Sequence, residues 1–154
     1  MKYIILSFFL FFSLNFFAQR SYTNAVGVKY ANIGSIQLNA KHYLNDDIAA
    51  ELSLGGNLDY VWLQGTLNWQ VKRSLDTDFY IGAGPGGGIV SGEPILGNSS
   101  SNRYMLGGNF FFGGEYLDTE FPVSISFETG PYLQVIPKIT LGWNFGIAAR
   151  YVLP

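Results

Sequence analysis

The 154-residue chain is 48% hydrophobic and 17% aromatic but only 13% charged, with a formal charge of −2 and 19 glycines. So few ions argue against a water-exposed globule, which ordinarily carries about 25% charged residues. The isolated Lys and Arg residues form no stripe to neutralise a phosphate backbone, which argues against a nucleic-acid partner. Cysteine is absent, excluding disulfides and thiolate-held zinc or iron–sulfur sites.

At the N-terminus, Lys2 precedes an apolar run from Tyr3 to Phe17, interrupted by Ser7, Ser13 and Asn15, and Ala18 offers a small residue for cleavage. This is the layout of a secretory signal peptide, and the run is shorter than the roughly 20 residues of a membrane-spanning helix. The expected division is a signal peptide over 1–18 and one domain over 19–154.

Beyond the leader, no segment keeps a helical apolar stripe, and a period of two dominates. Val26, Val28 and Tyr30 alternate with Gly27, Lys29 and Ala31; Ile36, Leu38 and Ala40 alternate with Gln37, Asn39 and Lys41. Ile48 to Gly55 and Val61 to Lys72 continue the pattern, the latter setting Val61, Leu63, Leu67, Trp69 and Val71 against Trp62, Gln64, Thr66, Asn68, Gln70 and Lys72. Two glycine-rich, aromatic segments follow, Phe79 to Val90 and Tyr104 to Tyr116. Then come Val123, Ile125 and Phe127, opposed by Ser124, Ser126 and Glu128. The last segment sets Leu141, Trp143, Phe145, Ile147, Ala149, Tyr151 and Leu153 against Thr140, Gly142, Asn144, Gly146, Ala148 and Arg150. Alternation of this kind places one set on each face of a strand.

The count is about eight strands, the smallest usual size for a bacterial outer-membrane barrel. The predicted fold is therefore all-β, a closed up-and-down antiparallel transmembrane β-barrel. With the N-terminus in the periplasm, the periplasmic turns fall at Asn45–Asp47, Ser74–Asp78 and Leu117–Glu120. The opposite side receives Asn32–Gly34, Gly56–Asp59, Gln134–Pro137 and a longer loop, Ser91–Asn102, carrying Glu93, Asn98, Ser99, Ser100 and Ser101. Short periplasmic turns with a longer extracellular loop are the usual asymmetry of such barrels.

Which face points outward follows from the polar parity. A soluble barrel would show water a surface of Gly, Ala, Ser, Asn, Gln and Thr, which is poor for solubility. The interior of a narrow eight-stranded barrel, by contrast, requires small residues and a few polar ones. Tyr22, Tyr30, Tyr43, Tyr60, Trp69, Phe79, Tyr104, Tyr116, Phe121, Tyr132 and Tyr151 lie near strand ends, where aromatic girdles meet the two membrane interfaces.

The inward parity collects Lys29, Lys41, Glu51, Glu115, Glu128 and Arg150. Charges in a narrow lumen must be paired or hydrated, and Lys41 and Glu51, facing one another across the Asn45–Asp47 turn, are the expected pair. A plug of ion pairs is favoured over a conduit or substrate site, because eight strands leave room for little but side chains. Gly82, Gly84 and Gly87 match a dinucleotide-binding glycine pattern only formally, since no helix follows and Pro85 interrupts it; relief of crowding in a curved strand is the expected role. His42, the only histidine, is expected on the outer face at a strand end, with no serine nucleophile beside it in sequence. Neither a metal site nor a cofactor is expected.

The stretches Phe79-Tyr80-Ile81-Gly82-Ala83-Gly84 and Gly113-Gly114-Glu115-Tyr116, the strand Val123 to Gly130 and the closing strand Lys138 to Leu153 resemble small outer-membrane β-barrel proteins of OmpA-like or OmpW-like general shape. The family typically closes on an aromatic residue, whereas this chain ends Tyr151-Val152-Leu153-Pro154. The resemblance implies a Gram-negative outer membrane with periplasmic termini. The implied partners are outer-membrane lipid and lipopolysaccharide, with the barrel-assembly machinery during biogenesis, and a monomer is expected. The expected role is non-enzymatic, structural or surface-contact; a lipid-modifying enzyme of the lipid A deacylase type and a small pore are the alternatives.

Overall fold

The computed structural model describes residues 22–74, 76–90, 104–118 and 120–153. The segment 1–18 and the loop positions Glu93, Asn98, Ser99, Ser100 and Ser101 lie outside the described residues.

Eight strands follow in chain order: β1 (Asn24–Ala31), β2 (Ser35–Tyr43), β3 (Ile48–Gly56), β4 (Tyr60–Arg73), β5 (Thr77–Val90), β6 (Tyr104–Leu117), β7 (Val123–Ile136) and β8 (Thr140–Leu153). Each pairs antiparallel with the next, and β1 pairs with β8, so the sheet closes into an up-and-down barrel. Closure satisfies both ladder edges that an open sheet leaves bare. Asn32 extends the seam: its amide side chain donates to the Trp143 carbonyl and accepts from the Phe145 N–H, both at 2.8 Å.

The tight β1–β2 connection depends on left-handed backbone, with φ of 97° at Gly34 and 56° at Ser35. On the side of the chain termini, Asn45 caps the β2–β3 turn by accepting from the N–H groups of Asp47 and Ile48, both at 2.8 Å. Asp118 caps the β6–β7 turn in the same manner, accepting from Glu120 at 2.8 Å and Phe121 at 2.9 Å. Both are side chains imitating a backbone turn. The strands run further than the periodicity suggests at four of the expected turns: Gly56 belongs to β3, Thr77 and Asp78 to β5, Leu117 to β6, and Gln134 to Ile136 to β7.

Two strands carry an internal proline preceded by glycine. Beside Gly84-Pro85 the β4–β5 pairing passes from Gln64–Gly86 to Leu67–Ala83, and beside Gly130-Pro131 the β6–β7 pairing passes from Asn109–Tyr132 to Phe112–Thr129. Proline has no N–H to give to the ladder, so each wall skips its rungs there without losing register.

The expected orientation is observed. Large apolar side chains face outward on every strand, among them Val28, Leu38, Leu54, Leu63, Ile81, Phe110, Phe127, Trp143, Phe145 and Ile147. The opposite parity is enclosed, including Lys29, Gln37, Lys41, Glu51, Gln64, Asn68, Asn109, Ser126 and Arg150. This molecule is thus apolar outside and polar inside.

One part of the aromatic expectation is corrected. Tyr30, Trp69, Phe79, Tyr104, Tyr116, Phe121 and Tyr151 are exposed, but Tyr22, Tyr43, Tyr60 and Tyr132 point into the barrel. Tyr22 and Tyr43 meet edge to face at 5.3 Å near the termini, within a cluster that also holds Ala25 and Ala49. At the other end Tyr60 and Tyr132 pack with Ile33, Trp62, Val90 and Met105. Rings of the inward parity therefore plug both mouths, because a side chain near a strand end still obeys the alternation of its strand.

Room for these rings comes from glycine. A β-carbon on Gly86 would lie 2.7 Å from the Trp62 ring, one on Gly113 would lie 2.6 Å from the Tyr80 ring, and one on Gly107 would collide with Tyr132. Gly82 leaves space for Phe111 in the same way, while Gly84 and Gly87 closely approach backbone of β4 and β6. The glycines of β5 relieve crowding, as their sequence context indicates.

Candidate functional site

Between the two aromatic plugs the lumen holds all six inward ions. Lys29 (β1), Lys41 (β2), Glu51 (β3), Glu115 (β6), Glu128 (β7) and Arg150 (β8) are each at most 3% exposed. Three cations balance three carboxylates, so the buried cluster carries no formal net charge. That balance matters, since an uncompensated ion in a low-dielectric interior costs several kcal/mol.

Arg150 is the hub. Its Nη2 lies 3.1 Å from Glu51 Oε1, and its Nη1 lies 3.1 Å from Glu115 Oε1 and 2.8 Å from Ser126 Oγ. Its Nε donates to Asn39 Oδ1. A planar guanidinium with five donors suits this forked role better than an ammonium does.

Lys29 bridges Glu51, at 3.0 Å, and Glu128. Lys41 pairs with Glu115 and lies 4.9 Å from the ring centroids of both Tyr43 and Tyr80. The expected Lys41–Glu51 pair is therefore corrected. The two residues are direct register partners, but the Lys41 ammonium crosses the lumen to β6, leaving Glu51 to Lys29 and Arg150. A long flexible stem in a closed barrel reaches the opposite wall as readily as the adjacent strand.

Neutral groups complete the coordination. Asn39 Nδ2 donates to Glu51 Oε1 at 2.8 Å, and Asn68 Nδ2 donates to Glu51 Oε2 at 3.1 Å. The Tyr22 hydroxyl donates to Glu115 Oε1 at 2.8 Å, tying the segment before β1 to the cluster. Tyr22, Asn39, Asn68 and Ser126 were not assigned to the ionic cluster by sequence, which placed Tyr22 in an interfacial girdle. The available signal was parity alone, which marks a residue as inward without naming its partner.

Above the ions lies an uncharged layer. Asn109 Nδ2 donates to Gln64 Oε1 at 2.8 Å, Trp62 Nε1 donates to the same oxygen at 3.3 Å, and Asn144 Nδ2 donates to Asn109 Oδ1 at 3.5 Å. These contacts span β4, β6 and β8.

Outside the lumen, His42 is exposed on the outer face, as expected, and its Nδ1 lies 2.7 Å from Asn24 Oδ1. It borders a shallow exterior groove of about 700 Å³ that also meets Ala40, Ala50, Gly65 and Ala83. The structure does not bring His42 to the ionic cluster, whose members face the opposite side of the sheet.

Fold and interior together define a class: a closed eight-stranded antiparallel β-barrel, apolar outside, whose lumen is filled by compensating ions and capped by aromatic rings. No family model matches the chain, and neither the curated proteins nor the solved structures compared with it include a match.

Proposed function

We propose that this chain is an integral outer-membrane β-barrel protein of a Gram-negative bacterium, exported by the signal peptide at 1–18, with a non-enzymatic structural or surface-contact role in the cell envelope. The observation that carries this reading is the outward apolar belt. Leu38, Phe110, Leu141 and Trp143 are 69%, 63%, 72% and 58% exposed, and comparable side chains occur on every strand. Surface of that extent is costly in water and favourable against lipid hydrocarbon. A closed barrel also leaves no strand edge unpaired, the condition that hydrocarbon imposes on a spanning sheet.

The belt argues for membrane lipid and lipopolysaccharide as the contacts of the outer wall. The general shape accords with OmpA-like and OmpW-like barrels, and both termini would then face the periplasm, with the Ser91–Asn102 loop outside. Five ion-pair contacts among the described residues cross the lumen, which favours a structural plug over a pore. The exterior His42, hydrogen-bonded to Asn24, is the residue on which a lipid-modifying alternative would depend.

Membrane fractionation followed by gel electrophoresis in SDS with and without boiling tests the reading. A membrane-fraction protein whose mobility changes on boiling is expected, because closed barrels resist SDS until heated. Recovery as a soluble monomer without detergent would refute it.

A further inference from the structure

We propose that the lumen contains a specific binding site for one ordered water molecule, held between the Glu128 carboxylate and the Tyr80 hydroxyl. The three carboxylates are unequally served. Glu51 receives Lys29, Arg150, Asn39 and Asn68, and Glu115 receives Lys41, Arg150 and Tyr22. Glu128 meets Lys29 through Oε1, while no donor among the described residues reaches its Oε2. The Tyr80 hydroxyl has no hydrogen-bond partner among the described residues either. Glu128 is 3% exposed and Tyr80 1%, so bulk water does not serve them.

The two groups share one row of the wall. Tyr80 pairs with Gly113, Gly113 with Glu128, and Glu128 with Gly146. The missing side chain of Gly113 lets the tyrosine lie over it: a β-carbon there would be 2.8 Å from the Tyr80 hydroxyl oxygen. Glu128 is the next side chain in the row, and on its other flank Gly146 makes room for Glu128 and Lys29 themselves, whose Oε1 and Cε would lie 3.3 and 3.2 Å from a β-carbon there. The Tyr80 ring is fixed by Phe111, edge to face at 6.2 Å, and by the Lys41 ammonium.

Chemistry selects the occupant. A buried carboxylate oxygen without a donor is costly. The ions of the lumen already balance, so an added metal cation would leave net positive charge and an anion would meet a carboxylate. A neutral molecule that donates to Glu128 Oε2 and accepts from the Tyr80 hydroxyl fits both demands, and single buried waters commonly serve such groups.

The test uses the full barrel in detergent micelles. A cross-relaxation peak between a long-lived water and the Tyr80 ring protons is expected, with the Glu128 side-chain carbon resonating as an ionised carboxylate. Absence of the peak overturns the site, as does a neutral-acid resonance, which would mean that Glu128 serves itself with a proton. Glu128→Leu, checked for folding by the boiling-dependent gel shift, should abolish the peak; its persistence there would also overturn the proposal. Should that variant not fold, the two wild-type measurements decide.

Discussion

Arg150 on β8 and Glu51 on β3 meet across the lumen, Nη2 to Oε1 at 3.1 Å, and neither side chain is exposed. The two positions are far apart in sequence and on non-adjacent strands, so this contact exists only once the barrel has closed.

Replacing Arg150 with methionine should therefore be severe. Glu51 and Glu115 would each lose a cation while remaining buried, and removal of one partner from a buried ionic network costs about 3–5 kcal/mol. Urea-dependent unfolding from lipid vesicles is expected at lower denaturant, with the unfolding free energy extrapolated to water reduced by that amount. Arg150→Lys should recover part of the loss but not all, because an ammonium cannot reach Glu51, Glu115, Asn39 and Ser126 together.

Glycine positions of opposite facing should respond differently to one added methyl. Gly82→Ala places a β-carbon 2.7 Å from Asn68 Oδ1 and against the enclosed Phe111 ring, a crowding expected to cost about 1–3 kcal/mol. At Gly65, on the outer face, the nearest atom would be Leu52 Cδ1 at 3.9 Å, and Gly65→Ala is expected to leave the unfolding midpoint unchanged. Equal effects from the two substitutions would contradict the assigned facing.

A charge in the middle of the outer belt tests the membrane reading directly. Ile147, near the centre of β8, is 52% exposed. Ile147→Arg should destabilise the barrel by about 2–4 kcal/mol if that face meets the bilayer midplane. Folding into vesicles of graded acyl length measures it. A soluble barrel would tolerate or even welcome the arginine, so an unchanged yield in lipid would count against insertion.

The Asp118 turn should open in acid. Hydrogen bonds from the Phe121 and Glu120 N–H groups hold its carboxyl below the ordinary value of 3.8. A depressed folded-state pKa means that the turn is favoured above the unfolded value and loses that support as pH falls through the lower, folded one. Amide exchange at Glu120 and Phe121 should accelerate across that window. Asp118→Asn should remove the pH dependence, since the amide oxygen accepts the same bonds at every pH.

The ionic site was half legible in the sequence. Lys29, Lys41, Glu51, Glu115, Glu128 and Arg150 were recognisable as inward from their places in the alternation, and all six are buried together. Their partners were not. Register across one hairpin suggested Lys41 with Glu51, yet the observed contact joins Lys41 to Glu115, 74 positions away. The tyrosines show the same boundary: closeness to a strand end was readable for Tyr22, Tyr43, Tyr60 and Tyr132, but their turning inward to seal the mouths was not.

What the chain determined alone was the eight strands, their order and the inward facing of the six ions, because a period of two is a property of the extended backbone and needs no knowledge of neighbours. What only closure decided was which ions touch, which glycines shelter which rings, and which groups lack a protein partner. Those depend on the stagger that brings opposite walls to one level, a quantity set by all eight strands at once.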